Sequence, residues 1–208
     1  VLGSPDISPD GRWIGLDGWK QGEGTSDARL LFVELETKEF RDLGPGAMPT
    51  WSADGKRFVY SSYTPRGVFV GSFEGQEREL IDEDGWGIQW SPDGKSAVYT
   101  RYQQGGCQLI VYDFATGQRR GLFDDNDLPY QTIYWNSDWS PDSTQVCIVG
   151  VRQNETKDIS LVTVEESDGP AQVEWLCDAS ELHNELAWHP TEPFIAVPGL
   201  DNCLHRIN

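Results

Sequence analysis

The stretch that decides the fold is Trp90-Ser91-Pro92-Asp93-Gly94-Lys95, which is followed at once by the apolar residues Ala97-Val98-Tyr99. Proline fixes φ at about −65° at the first corner of a turn. Aspartate can hydrogen-bond its own backbone, and glycine accepts a positive φ. Two adjacent strands joined by such a turn form a hairpin. The stretch therefore predicts a tight turn that feeds an apolar strand.

The same motif returns along the whole chain. The other copies are Ile7-Ser8-Pro9-Asp10-Gly11-Arg12-Trp13-Ile14, Trp51-Ser52-Ala53-Asp54-Gly55-Lys56-Arg57-Phe58, Trp139-Ser140-Pro141-Asp142-Ser143-Thr144 and, in degenerate form, Trp188-His189-Pro190-Thr191-Glu192-Pro193-Phe194. The turn positions 10, 54, 93, 142 and 191 are separated by 44, 39, 49 and 49 residues. A four-stranded propeller blade takes roughly 40–50 residues, so each copy has the length of one blade.

The repeat predicts an all-β fold, a β-propeller of four-stranded antiparallel blades. Four blades are complete, at about 1–44, 45–84, 85–127 and 128–180, and a partial fifth spans 181–208 without an outer strand. Two alternatives remain open for the ring. Either five blades close imperfectly, or the chain is a fragment of a larger propeller of about six to eight blades.

The charge of the chain limits the classes of partner that we expect it to bind. There are 34 acidic and 16 basic residues, for a formal net charge of −18. Such a surface repels phosphate backbones, so we expect no nucleic-acid partner, whereas cations, basic proteins and uncharged glycans stay open. No apolar run approaches the ~18 residues of a membrane helix, so we expect no membrane insertion. The four cysteines permit disulfides without requiring them.

The Ser-Pro-Asp-Gly-Lys turn with its following apolar strand resembles the WD40-like propeller repeat of TolB-type proteins. The same repeat occurs in the propellers of prolyl-oligopeptidase-family enzymes and of oligogalacturonate lyases. The resemblance implies a propeller and favours a periplasmic or extracellular setting. It says little about function, because one fold carries many functions.

Candidate ligand-binding residues lie on the predicted inner strands, which line the channel of a propeller. They are Trp86 and Gln89 in the third blade, Tyr134, Asn136 and Asp138 in the fourth, and His183 and Glu185 in the fifth. Because the last two blades are adjacent, their polar side chains could converge on a divalent cation or on ligand hydroxyls. The alternative is that they hydrogen-bond one another and channel waters.

Aromatic residues near loops give a second set of candidates. Trp19, Trp86, Tyr130, Tyr134 and Trp135 are expected on one face, away from the repeated Trp residues that pack between blades. Clustered Trp and Tyr side chains with polar neighbours are typical of contact hot spots.

Signatures of catalysis are missing from the sequence. It has no Gly-x-Ser-x-Gly and no His-Glu-x-x-His, so no catalytic residue and no metal ligand is assigned. Calcium at Asp82-Glu83-Asp84-Gly85 or Asp124-Asp125-Asn126-Asp127 is a lesser alternative to having no cofactor.

These observations favour a non-enzymatic binding or assembly module whose partner is a protein, with a glycan or small molecule as a further option. The competing hypothesis is a propeller domain of an enzyme. It would be either the gate of a prolyl-oligopeptidase-like hydrolase or a lyase-like metal site near His183 and Glu185.

Overall fold

The structure is a computed structural model that describes residues 1–165 and 169–208. Twenty strands and one 3-10 helix, Thr25–Asp27, make up its regular structure. The first sheet holds β1 (Leu2–Ile7), β2 (Trp13–Gly18), β3 (Arg29–Glu34) and β4 (Phe40–Pro45). The second holds β5 (Ala47–Trp51), β6 (Arg57–Tyr63), β7 (Arg66–Ser72) and β8 (Arg78–Asp82). The third holds β9 (Gly85–Trp90), β10 (Ser96–Gln103), β11 (Gly106–Asp113) and β12 (Arg119–Gly121).

The last two sheets are less regular. The fourth holds β13 (Tyr130–Ile133), β14 (Asp138–Trp139), β15 (Gln145–Arg152), β16 (Lys157–Thr163) and β17 (Val173–Asp178). The fifth holds β18 (Ala187–Trp188), β19 (Ile195–Pro198) and β20 (Leu204–Ile207). Within the sheets, strands that are consecutive along the chain pair antiparallel, except that β13 and β14 both pair with β15. The five blades of a propeller are therefore confirmed. The fourth blade differs from the prediction because β13 and β14 together replace one inner strand. The fifth blade has three strands, in line with the predicted partial blade.

The repeated turns are closed by their own side chains. Ser52 Oγ donates to Asp54 Oδ1 over 2.6 Å and accepts from the Arg57 N–H over 3.0 Å. Asp54 Oδ1 also accepts from the Lys56 N–H over 3.0 Å, and the hydrogen bond from Ser52 lowers the pKa of Asp54. The same bonds form around Ser8, Ser91 and Ser140. The serine of each of these four motifs is thus buried, and its hydroxyl holds the turn of the hairpin closed.

Two turns depart from the pattern in sequence, and the first of them keeps its geometry. Ser143 takes the left-handed conformation, with φ of 62°, that Gly55 takes at 67° in the second blade. In the fifth blade His189 replaces the serine, and its Nδ1 accepts from the N–H groups of Thr191 and Glu192. The Ser-Asp turns instead accept from the fourth and fifth residues after the serine, so the fifth turn is closed by a different set of bonds.

The chain divides into two compact units, Val1–Trp90 and Ser91–Asn208. The core of the first is aromatic: Phe32 packs edge-on against Trp51 at 5.2 Å and tilted against Phe58 at 5.1 Å between ring centres. The core of the second is mainly aliphatic, with Val146, Ile148 and neighbouring residues fully buried. All four cysteines carry free thiols, and burial raises the pKa of Cys107 to about 11, which makes that thiol unreactive.

Candidate functional site

Each blade has two ends, and the candidate site lies at the end away from the repeated turns. We call the end that carries the Ser-x-Asp turns the turn end and the opposite end the far end. The second strand of each blade runs from the turn end to the far end. Trp19, Tyr63 and Tyr102 lie eleven residues after Ser8, Ser52 and Ser91, so they occupy one repeat position at the far end. Tyr63 is 40% and Tyr102 is 46% exposed.

The first aromatic cluster lies in the first unit. We call Tyr63, Trp86, Glu83 and Asp84 the 63/86 corner. The rings of Tyr63 and Trp86 are 4.4 Å apart between centres and tilted by 54°. Glu83 and Asp84 are exposed in the loop before β9, and a Cβ atom at Gly67 would lie 3.0 Å from the Glu83 Cα. The acidic loop therefore touches the β6–β7 turn that follows Tyr63.

Trp19 extends this surface. It is half-buried just after β2, and with Trp86 it packs against the buried residues Ala28, Ala47 and Met48. Both predicted tryptophans of the first unit thus rest on one small apolar base at the far end.

The second cluster lies in the second unit. We call Tyr102, Tyr134, Trp135 and the acidic loop 124–127 the 102/134 corner. Trp135 is 44% exposed, and its ring centre is 6.5 Å from that of Tyr134. Burial raises the pKa of Tyr102, and a hydrogen bond with the Thr132 side chain partly opposes this rise. Gln103 Nε2 donates to Asp125 Oδ1 over 2.9 Å, which holds the acidic loop beside the end of β10.

The acidic loops are ordered by their own hydrogen bonds. Asp125 also accepts from Gln108 Nε2 over 2.9 Å, and the bonds from Gln108 and Gln103 lower its pKa. Asp124 accepts from the Asn126 N–H, and Asp82 accepts from the Asp84 N–H. In residues 1–165 and 169–208, no three or more His, Cys, Asp or Glu side chains are grouped to hold a metal ion. Calcium at these loops stays a prediction.

A residue with positive φ recurs in the inner strands, and in the first two blades it lies at a register shift. Ser4, Met48 and Gly87, each four residues before the motif serine, have φ of 45°, 55° and 67°. The Met48 N–H donates to Asp17 Oδ2 over 3.0 Å, and the Gly87 N–H to Ser61 Oγ over 2.9 Å. Bulges of this kind re-aim neighbouring side chains. In the first unit, each repeat link ties a blade's second strand to the next blade.

In the fourth blade the inner strand is interrupted. Residues 134–137 separate β13 from β14 and include Tyr134, Trp135 and the half-buried Asn136. Three predicted site residues therefore share a short loop, and the fifth blade has a comparable gap between the Leu182–Gly199 bridge and β18.

Two predicted channel residues make bonds between blades. Gln89 Oε1 accepts from Thr50 Oγ1 over 2.9 Å. Asp138 Oδ2 accepts from the Trp188 N–H over 2.7 Å, as Asp6 Oδ2 does from the Trp51 N–H over the same distance. Asp6 and Asp138 both stand two residues before their motif serine, so this bond is a repeated blade link.

The fifth-blade candidates are solvent-facing. His183 and Glu185 are exposed in the loop between β17 and β18, and the His183 N–H donates to the Pro198 carbonyl. The structure places Glu185 close enough to Lys157 for the two charges to interact. The Lys157 Nζ also lies 5.8 Å from the ring centre of Tyr134.

One aromatic candidate was wrong. Tyr130 was expected on an exposed face, but it is fully buried in β13. Its hydroxyl lies 3.3 Å from Asp158 Oδ1, and the Arg152 guanidinium lies 4.9 Å from its ring centre. Burial raises the pKa of Tyr130 to about 12.

Tyr63 and Tyr102 were not among the predicted site residues. The signal that identifies them is the repeat itself, because they align with Trp19 once the motif serines are superimposed.

The blades and their turns define the class of the protein as a β-propeller, and solved structures extend that likeness. TolB from Acinetobacter baumannii matches the whole chain with a TM-score of 0.72 at 16% identity. A chain from the crystal structure of a Nidogen/Laminin complex matches the whole of this chain with a TM-score of 0.72 at 13% identity, over 76% of its own length. A puromycin-hydrolyzing peptidase of Mycobacterium tuberculosis matches 96% of the chain with a TM-score of 0.67 at 18% identity.

These likenesses confirm that the chain resembles TolB-type propellers in its fold. The chain spans 54% of the length of the Acinetobacter TolB and 34% of the peptidase. No protein-family model and no curated protein matches the sequence. Across the described parts of the chain, no helix has the length and apolarity to span a bilayer.

Proposed function

We propose that this chain is a non-enzymatic binding and assembly module that recognises a protein partner at the far end of its blades. The observation that carries the proposal is the recurrence of exposed or half-buried aromatic residues at one repeat position, Trp19, Tyr63 and Tyr102, beside Trp86 and Trp135. A residue that only packs between blades would be buried, as Trp51 and Trp90 are.

The chemistry of these side chains suits a protein contact. Tyrosine and tryptophan supply large, rigid contact area at low entropic cost and dominate interface hot spots. The likeness to a chain from a Nidogen/Laminin complex supports a protein partner over a glycan. The test below must distinguish protein binding from glycan binding through the same rings.

The test is capture of a partner by the immobilised chain. The far-end variant carries Tyr63→Ala, Tyr102→Ala and Trp135→Ala, and the control carries Phe40→Ala and Trp175→Ala. Phe40 and Trp175 are 59% and 58% exposed on the outer strands β4 and β17, so the control removes exposed rings that are not at the aromatic repeat position, although Phe40 lines one groove with Trp19. We expect the far-end variant alone to lose the captured protein. Equal capture by both variants contradicts the proposal. Binding of the chain to a glycan array, with no protein captured, contradicts it too.

A second candidate function follows from the likeness to the Mycobacterium tuberculosis peptidase. In that case the chain is a propeller that gates a hydrolase. Hydrolysis of peptidyl amides by the natural protein, blocked by a serine-directed reagent, would support this function and remove the binding module as the main role.

A further inference from the structure

We infer that the partner presents a basic segment whose Lys or Arg side chains bind at the 63/86 corner, on its rings and near its acidic loop. This inference rests on the proposed function and names the chemistry of the partner.

The charge of the chain favours a cationic partner. The net charge is −18, and both acidic loops, 82–84 and 124–127, lie at the far end beside the exposed tyrosines. Glu83, Asp84, Asp124, Asp125 and Asp127 are exposed. An acidic surface attracts basic segments and raises their rate of association.

The ring geometry explains why a cation would stay. The faces of Tyr and Trp attract ammonium and guanidinium groups within about 6 Å of the ring centre. At the 63/86 corner, two such rings meet at 4.4 Å, and the exposed Glu83 and Asp84 stand three and two residues before Trp86 in the chain. A lysine or arginine side chain that binds there gains a ring contact and an ion pair together.

The chain already contains this arrangement with its own cations. The Arg41 guanidinium lies 4.4 Å from the centre of the Trp13 ring, and its Nη1 is 3.1 Å from Glu74 Oε1. Arg152 likewise lies over Tyr130 and pairs with Asp158. A cation between an aromatic ring and a carboxylate is therefore a stable unit in this protein, and the far end offers the ring and the carboxylates on an exposed surface.

The experiment is fluorescence anisotropy with a labelled peptide of alternating lysine and serine, compared with a peptide of alternating glutamate and serine. We expect the folded chain to bind the lysine peptide and not the glutamate peptide. The Tyr63→Ala substitution should weaken binding about fivefold, whereas Tyr63→Phe should retain it because the ring face is kept. Glu83→Gln with Asp84→Asn should also weaken binding about fivefold and reduce its dependence on salt.

A matched control separates this site from general charge attraction. Glu36→Gln with Glu192→Gln removes two negative charges from exposed positions near the turns, and it should leave binding unchanged. Equal weakening by this control and by the corner variant overturns the inference, as does the absence of binding. Thermal unfolding checks that each variant is folded.

The two proposals fail separately. If a captured partner is lost in the far-end variant but the lysine peptide does not bind, the basic segment is wrong and the protein-binding module stands. If the captured partner is indifferent to the far-end variant, the proposed function itself fails.

Discussion

The two ends of the blades were built under different constraints. At the turn end, four repeats use the same serine and aspartate with the same bonds, and each motif serine is buried. At the far end, the equivalent positions hold Trp19, Tyr63, Tyr102 and Val151, joined by loops of different length and charge. Uniform residues that satisfy one another maintain the fold. Varied, exposed residues at equivalent positions leave the fold intact and are free to serve recognition.

Grooves at the turn end reinforce the contrast. A groove of 770 Å³ lies between the first two turns and one of 350 Å³ between the last two. Both are lined largely by the motif residues themselves, with Trp51 in one and Trp188 in the other. The repeat itself explains both grooves, because equivalent turn residues of two successive motifs line each of them.

The strongest test of this contrast is tryptophan deletion at each end. Trp51→Ala should cost about 3–5 kcal/mol of unfolding free energy, because it opens a cavity against Phe32 and Phe73. Trp135→Ala should cost less than about 1 kcal/mol, because that side chain is 44% exposed. Urea unfolding measures both, and similar losses would remove the distinction between the ends.

The turn serines give the next largest effect. Ser52→Ala should cost about 1–3 kcal/mol, because the Arg57 N–H and Asp54 lose their bonds to the buried hydroxyl. Ser26→Ala, at an exposed position in the 3-10 helix, is the control and should change stability by less than about 0.5 kcal/mol. A cost at Ser26 that equals the cost at Ser52 would show that the turn bonds carry no special weight.

Acid titration sharpens the comparison through Glu34, which lies near the turn end. The Thr37 hydroxyl and N–H donate to Glu34 and lower its pKa from 4.5 to about 2. A carboxylate with a lowered folded pKa stabilises the fold above its unfolded pKa and loses that contribution as pH falls. The melting temperature should therefore fall between pH 4.5 and about 2, and less steeply in Glu34→Gln. Parallel slopes for the two proteins would contradict this.

Asp17, near the far end, should behave with the opposite sign and give the smallest effect. Burial raises the pKa of Asp17, because the ionised carboxylate is poorly solvated there. The protonated form therefore stabilises the fold below about pH 3.8, and this stabilisation is lost as the pH rises through the folded pKa. Asp17→Asn should raise the melting temperature at neutral pH by a few degrees and make no gain below pH 3.8. Destabilisation at neutral pH would show that the bond from the Met48 N–H needs the charge.

The blades could be predicted from sequence because their turns depend on local chemistry. Serine, aspartate and a residue with positive φ within one turn are enough to recognise each hairpin. The break between β13 and β14 was missed, since Tyr134-Trp135-Asn136-Ser137 contains no glycine or proline to mark it. The role of Asp138 was not predictable either, because its partner, the Trp188 N–H, is fifty residues away.

The site was only partly predictable for a related reason. Trp19, Trp86 and Trp135 were found because tryptophans outside the motif are conspicuous. Tyr63 and Tyr102 look like ordinary strand residues until the repeats are aligned. Tyr130 was misplaced because its burial depends on Arg152 and Asp158, which belong to other strands.

The self-contained turn has a consequence for how such a chain grows. A repeat whose hairpin is closed by its own serine and aspartate brings all the partners of that turn with it when its gene segment is copied. The links between blades must find their complement in the neighbour, and in the links that Asp6 and Asp17 make this complement is a backbone N–H, which every copied repeat supplies. Duplication and loss of whole blades therefore leave few orphaned groups, and the number of blades is open to evolutionary change while the far-end loops diversify copy by copy.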